Sequence, residues 1–193
     1  VLLLLLAHAL AALAAPLLIR RLGSTAFALL ALVPAAAAGW ALSRAPAVLD
    51  GTPLRESVSW LPAYGLDLDF HVDPLAMVLT LLVTGVGALV LLYCAGYFAA
   101  DDPSAGRFAA AFTAFAGAML GLVLADNLIL VYVFWELTTV FSYLLIGHFR
   151  ERRAARRAAL QALIVTTLGG LAMLVGLLIL GHAAGTRRIS GIV

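Results

Sequence analysis

Lysine is absent from this chain. Twelve arginines face ten acids, and charged residues make up only 11% of the 193 positions. A soluble domain carries about a quarter of its residues as charges, so this balance excludes one. No basic stripe interleaved with aromatics occurs, which excludes a nucleic-acid footprint. Cysteine is reduced to Cys94, inside an apolar run, so an intrachain disulfide is excluded. Also missing are a Gly-rich phosphate loop, a nucleophile triad, a cofactor-attachment Cys pattern and any metal-ligand spacing. No cofactor and no metal are expected, and the chain is expected not to be an enzyme. It has no initiator Met, and no basic segment precedes the apolar run 1–19, so that run is read as a first membrane helix rather than a signal peptide. The 193 residues are taken as an N-terminal fragment of a longer chain.

Apolar character is abundant: 64% of residues are hydrophobic and mean hydropathy is +1.10. A membrane span needs about 20 apolar residues. Runs of that kind lie near 2–19, 25–43, 74–99, 108–125, 127–147 and 158–182. The expected fold is an all-α polytopic membrane protein with about six transmembrane helices. Gly85, Gly87, Gly96, Gly169, Gly170 and Gly176 are read as small residues that permit close helix packing. Alternating six helices puts eight arginines on one side (Arg20, Arg21, Arg107 and five within 150–157) and four on the other, Arg44, Arg55, Arg187 and Arg188. The positive-inside rule then places the first set in the cytoplasm and both chain ends outside. The arginines of 150–157 are read as loop residues that contact anionic lipid.

Between the second and third helices, 52–73 forms the one extended connection. Its two short runs flank Ala-Tyr-Gly65, and 66–72 alternates apolar and polar side chains, which predicts an extracytoplasmic β-hairpin with Gly65 in the turn. A two-stranded ribbon is marginal alone and needs helix ends or a neighbouring subunit to pack on.

Glu136 stands in the middle of the fifth run, 127–147. A charged side chain at bilayer depth costs about 2.5–3.5 kcal/mol on insertion scales, so such groups are functional by default. Helical spacing puts Tyr132, Thr139 and Tyr143 on the face of Glu136, a polar stripe suited to a bundle interior. Burial disfavours a charged carboxylate and a nearby cation favours it, and a group set between the two can load and release protons. A structural Glu bonded between helices is the alternative.

The segment Leu130-Val-Tyr-Val-Phe-Trp-Glu136-Leu-Thr-Thr-Val-Phe-Ser-Tyr-Leu-Leu-Ile-Gly147 resembles the fifth helix of the antiporter-like subunits shared by respiratory complex I and the multisubunit Mrp-type cation/proton antiporters. The stretches Ser59-Trp-Leu-Pro-Ala and His71-Val-Asp73-Pro-Leu are similar to that family's outer hairpin and third-helix start. The resemblance implies that Glu136 is the key proton-pathway carboxylate. Helix six, Ala159-Leu-Gln161-Ala-Leu-Ile-Val-Thr166-Thr-Leu-Gly-Gly-Leu-Ala-Met173, is similar to the pattern of the A-type subunits of Mrp antiporters, whereas complex I subunits more often place an Arg and a Gly-Asp pair there. Many relatives have Lys where Gln161 stands. Glutamine bonds water but brings no charge to Glu136.

Other polar residues carry two readings each. His8, within the first helix, is a proton relay or a ring bonded to a neighbouring helix backbone. His71, Asp73, Asp67 and Asp69 either gather cations at the outer mouth or decorate a solvated hairpin. His148 is a cytoplasmic proton port or a favourable positive group at a helix C-terminus. Asp126 and Asn127 read first as an N-cap, then as a proton exit. Trp40, Trp60, Tyr93 and Tyr97 fit interface belts.

These observations, with the resemblance, imply the N-terminal part (1–193) of a subunit of a Na⁺ or K⁺/proton antiporter. Its proton-translocating bundle would begin at 74–182. Pathway-lining groups would be Tyr132, Thr139, Tyr143, Gln161 and His148 beside Glu136. Expected partners are other membrane subunits, protons, Na⁺ or K⁺, and the lipid of a bacterial plasma membrane. The alternatives are a proton-translocating subunit of a respiratory NADH-quinone oxidoreductase or related hydrogenase, and a non-transporting scaffold.

Overall fold

The computed structural model describes residues 1–61, 66–99, 102–149 and 151–192. The expected hairpin turn at Gly65 and the basic residue Arg150 lie outside them. Six helices follow in order: α1 (Leu2–Leu22), α2 (Ala26–Leu49), α3 (Pro74–Tyr97), α4 (Ala105–Leu124), α5 (Leu128–Ile146) and α6 (Arg153–Ala184). Among the described residues, five apolar stretches are long enough to cross a membrane. The longest, Leu2–Leu49, is two helices folded back through a 3-10 turn at Gly23–Thr25, so six spans result. Gly23 has φ +61°, a left-handed backbone that favours glycine.

Local chemistry sets the boundaries. Asp73 accepts a hydrogen bond from the Ala76 amide at 2.7 Å with Pro74 at the first helical position, which starts α3. Asn127 accepts from the Ile129 and Leu130 amides and starts α5. Two helices run at least five residues beyond their predicted apolar runs. The second continues through Pro46 to Leu49, and α6 begins at Arg153. Arg153, Arg156 and Arg157 are therefore helical rather than loop residues, because the intervening alanines and arginines are good helix formers.

Strands β1 (Leu54–Leu61) and β2 (Leu66–Val72) pair antiparallel, with Leu54 opposite Val72 and Val58 opposite Leu68. The ribbon is not a solvated appendage. Phe70 and Val72 are buried with Ala37, Ala41, Met77, Leu120 and Leu124, so the hairpin lies on the ends of α2, α3 and α4. A second cluster at the opposite end stacks Phe27 on Phe98 at 5.3 Å, with Phe108 beside them.

The helices pack α2 on α3, α1 on α4, α4 on α5 and α5 on α6. Association of helices within lipid rests on close packing rather than the hydrophobic effect. The Ala- and Gly-rich α4 serves this by touching α1, α3 and α5. Of the glycines expected at contacts, a Cβ added at Gly87 would lie 3.7 Å from Ala116 and Pro34, and one at Gly170 would meet α5. Gly85, Gly96, Gly169 and Gly176 have open space around them. Their small size leaves a smooth outer face instead.

Candidate functional site

Small residues on α6 set the register against α5. Positions a Cβ would occupy at Gly147, Gly170 and Gly181 meet Ala159, Glu136 and Leu128 respectively. These pairs describe one antiparallel seam. On the α6 side its members are Ala159, Gly170 and Gly181, spaced by eleven residues, close to three helical turns. The α5 stripe of Tyr132, Glu136, Thr139 and Tyr143 shares its face with Gly147, so it points towards α6. Thr139 is 6% exposed, Tyr132 and Tyr143 are half-buried.

Glu136 reaches across the seam. A Cβ added at Gly170 would collide with its Oε1, and the Trp135 ring lies alongside. That oxygen is buried and has no hydrogen-bond partner. Such an atom is a place for a proton or a bound water, since a buried acceptor left dry is costly. Neighbouring Thr138 does not serve it; its hydroxyl donates to the Trp135 carbonyl at 2.7 Å.

The structure separates the remaining candidates. Gln161 is exposed. It stands nine residues from Gly170, about two and a half turns along α6 and on the opposite face, so it is not beside Glu136 within this chain. His8 lies nearer the hairpin end than mid-span and bonds its own helix, Nδ1 to the Leu4 carbonyl at 2.8 Å, rather than a neighbour's backbone. Its ring packs on Gly117 of α4, and its Nε2 is buried without a partner.

The four hairpin groups do not converge. Asp73 caps α3, Asp67 accepts from Ser59 at 3.3 Å, and His71 Nε2 is buried and unpartnered. Asp69 is buried rather than solvated. It accepts from the Ser57 hydroxyl at 2.5 Å and from Arg188 Nε and Nη2 at 3.2 and 3.0 Å. Burial pushes its carboxyl up, but Ser57 and the Arg188 guanidinium together hold it below the usual range. Asp126 accepts from the Ser190 amide and hydroxyl at 2.7 and 2.6 Å, while its own amide donates to the Asp69 carbonyl. The hairpin, the start of α5 and the segment after α6 are thereby fastened together. Sequence reasoning missed this lock, whose ion-paired partners are more than a hundred residues apart.

His148 occupies the other end. Its ring meets Phe98, Phe108 and Phe149 edge-on at 5.0–5.8 Å. Ser104 Oγ donates to Asp102 at 2.6 Å, so His148 Nε2, 3.1 Å from that oxygen, is placed to donate to it. Burial lowers the His148 pKa; Asp102 raises it and Arg107 lowers it further. Asp102, bonded by the Ser104 hydroxyl and amide, is held below its ordinary value.

Residues 125–193 match the family model described as NADH:quinone oxidoreductase/Mrp antiporter, TM, and 60–109 match that of NADH-Ubiquinone oxidoreductase (complex I), chain 5 N-terminus. A Rhizobium meliloti (strain 1021) protein, named as the probable A/B subunit of a K(+)/H(+) antiporter, is 44% identical over 147 residues, which are 76% of this chain and 15% of that protein. The A1 subunit of the Na(+)/H(+) antiporter of Staphylococcus aureus (strain JH9) is 41% identical over 132 residues, 68% of this chain and 16% of the relative. Among solved structures, a chain of the Mrp complex from Dietzia sp. DQ12-45-1b superposes with a TM-score of 0.87 at 35% identity, covering 98% of this chain and 20% of that one. The aligned part is thus about a sixth of the length of these curated relatives. Their likeness and the long apolar helices make this a multi-pass membrane protein.

Proposed function

We propose, from the premise that this chain belongs to the family of membrane subunits shared by NADH:quinone oxidoreductase and Mrp antiporters, that it is part of a monovalent cation/proton antiporter. Its role there is to carry protons through Glu136. It is a transporter component rather than an enzyme, and its partners are other membrane subunits of the assembly. The observation that carries the reading is the Glu136 carboxylate oxygen, buried at the α5–α6 seam with no donor of its own. Protonated, the group is neutral and suits its apolar walls; ionised, it draws water or a cation towards the seam. Alternation between these states is what proton exchange needs. Tyr132, Thr139 and Tyr143 line the same face, and Gln161 acts on a different one. The chain His148–Ser104–Asp102 collects protons at the arginine-rich end. That end faces the cytoplasm in this reading, with 52–73 outside and the proton-translocating bundle starting at 74–182. The match of 60–109 to a complex I subunit model favours a second reading, a redox-driven proton pump using the same glutamate.

Inverted vesicles holding the complete assembly test both. A respiration-driven pH gradient is set up, Na⁺ or K⁺ is added, and its collapse is recorded for wild type and Glu136→Gln. Collapse lost in the variant supports exchange through Glu136. No response to either cation in wild type moves the function to the redox-driven pump, and collapse in both leaves Glu136 structural.

A further inference from the structure

A second feature spans the bundle away from the α5–α6 seam. On the opposite side of α5, a groove of about 720 Å³ runs between α1 and α5 with α4 as its floor. Its floor is made of small residues, Ala110, Ala114 and Gly117. Leu6 and Leu13 of α1 form one wall, Leu137 and Leu144 of α5 the other. These four leucines are exposed, so the groove opens sideways, towards hydrocarbon in a bilayer. Lining residues on α1 extend from Leu2 to Pro16, a rise of about 20 Å. The mean cross-section is then about 35 Å², whereas a helix 10 Å wide with its side chains needs about 80 Å². The groove is too narrow for another helix and wide enough for a hydrocarbon chain.

Its two ends differ in charge. At the hairpin end Leu68 and Phe70 close it. At the other end Arg107 and His148 line the mouth, and Arg20 and Arg21 end α1 on the same side. Asp102, which acts on His148 at that mouth, is engaged by the Ser104 amide and hydroxyl. From Arg107 to Gly117 the floor rises about 15 Å, the depth of one leaflet of a 30 Å hydrocarbon core.

We propose that this groove seats one acyl chain of an anionic phospholipid from the leaflet on the arginine-rich side, with its phosphate at Arg107. Apolar contact supplies no preference, because the chain leaves a medium as apolar as the groove. Selection rests on charge, and a basic group near an anionic headgroup contributes about fivefold. The groove is lined by neither Glu136 nor its polar stripe, and the lipid is read by labelling rather than by transport.

Photo-crosslinking in the intact assembly tests it. The assembly is reconstituted with phosphatidylglycerol or phosphatidylcholine carrying a diazirine within one acyl chain, irradiated, and its peptides mapped. Phosphatidylglycerol should label 110–118 and 137–144 about fivefold more than phosphatidylcholine. Arg107→Gln should abolish that preference while labelling persists, and Ala114→Phe, which fills the floor, should remove the labelling. Equal labelling by the two lipids in wild type overturns the headgroup assignment. Absence of label from both segments overturns the site itself and means that protein covers the groove. Because the wild-type map decides, a variant that fails to assemble does not shield the proposal.

Discussion

Replacing Gly170 by alanine tests the placement of Glu136 with one methyl group. That methyl collides with Oε1, the far end of a flexible side chain, so the carboxylate moves and the helices need not. Driving a side chain off its rotamer costs about 0.5–1.5 kcal/mol. Alanine in a helix interior returns about 0.5–1 kcal/mol relative to glycine. The two terms nearly cancel, and Gly170→Ala should assemble and melt within about 1 kcal/mol of wild type. Function should not be spared. A displacement of about 1 Å at a reacting group can lower a rate by up to about 10²-fold, and cation-driven collapse of the pH gradient should slow by at least about tenfold. Gly169→Ala is the control: nothing lies within 4 Å of its added Cβ, and its rate should match wild type. Equal rates for Gly169→Ala and Gly170→Ala would refute the assignment.

A methyl at Gly117 would sit 2.7 Å from His8 Cβ, an atom fixed by the α1 backbone, so Gly117→Ala should destabilise the assembly by about 1–3 kcal/mol; an unchanged melting temperature in detergent contradicts the contact. Asp69 is held below its ordinary value of 3.8, so its contribution is fully present above that pH and is lost only as pH falls through the depressed value. Arg188 is half exposed, which limits the pair to about 1 kcal/mol. Arg188→Gln should therefore speed hydrogen exchange at the Ile189 amide about fivefold at pH 7, and unchanged exchange would dissolve the lock. Arg107 depresses the His148 pKa and Asp102 raises it. Arg107→Gln should move the acid limb of the exchange–pH profile to higher pH and Asp102→Asn to lower pH; shifts in one common direction would rule out His148 as the titrating group.

Much of this architecture was legible because it is local. Apolar runs placed α5 to within a residue at each end, and period-two alternation placed β2. The face shared by Tyr132, Glu136, Thr139 and Tyr143 followed from helical periodicity alone. Where α6 begins was missed because charge was taken as a mark of a loop, whereas Arg and Ala both favour helix. Gln161 was nominated by resemblance, and its distance from Gly170 around the helix was left out of account. Asp69 was read either as a cation-gathering group or as part of a solvated hairpin, because the residues that bury and pair it lie outside 52–73. Its partner, Arg188, follows α6, a helix whose main packing is on α5.

The α5–α6 seam shows why a partner for Glu136 is harder to read than Glu136 itself. Two glycines in succession, Gly169 and Gly170, have the same composition signal, yet one faces the carboxylate and the other open space. A helix turns 100° per residue, so only the register separates them, and register is a property of two helices. Here it is held by three small-residue contacts and by the lock at the hairpin end, where Arg188 and Ser190 engage Asp69 and Asp126. Shifting α6 by one residue would carry Gly170 out of line with Glu136, set Gly169 or Leu171 in its place and strain the lock at once. The position of the buried carboxylate is therefore tied to an ion pair at the membrane's edge, about 20–25 Å further along the helix by the rise from Gly170 to the end of α6.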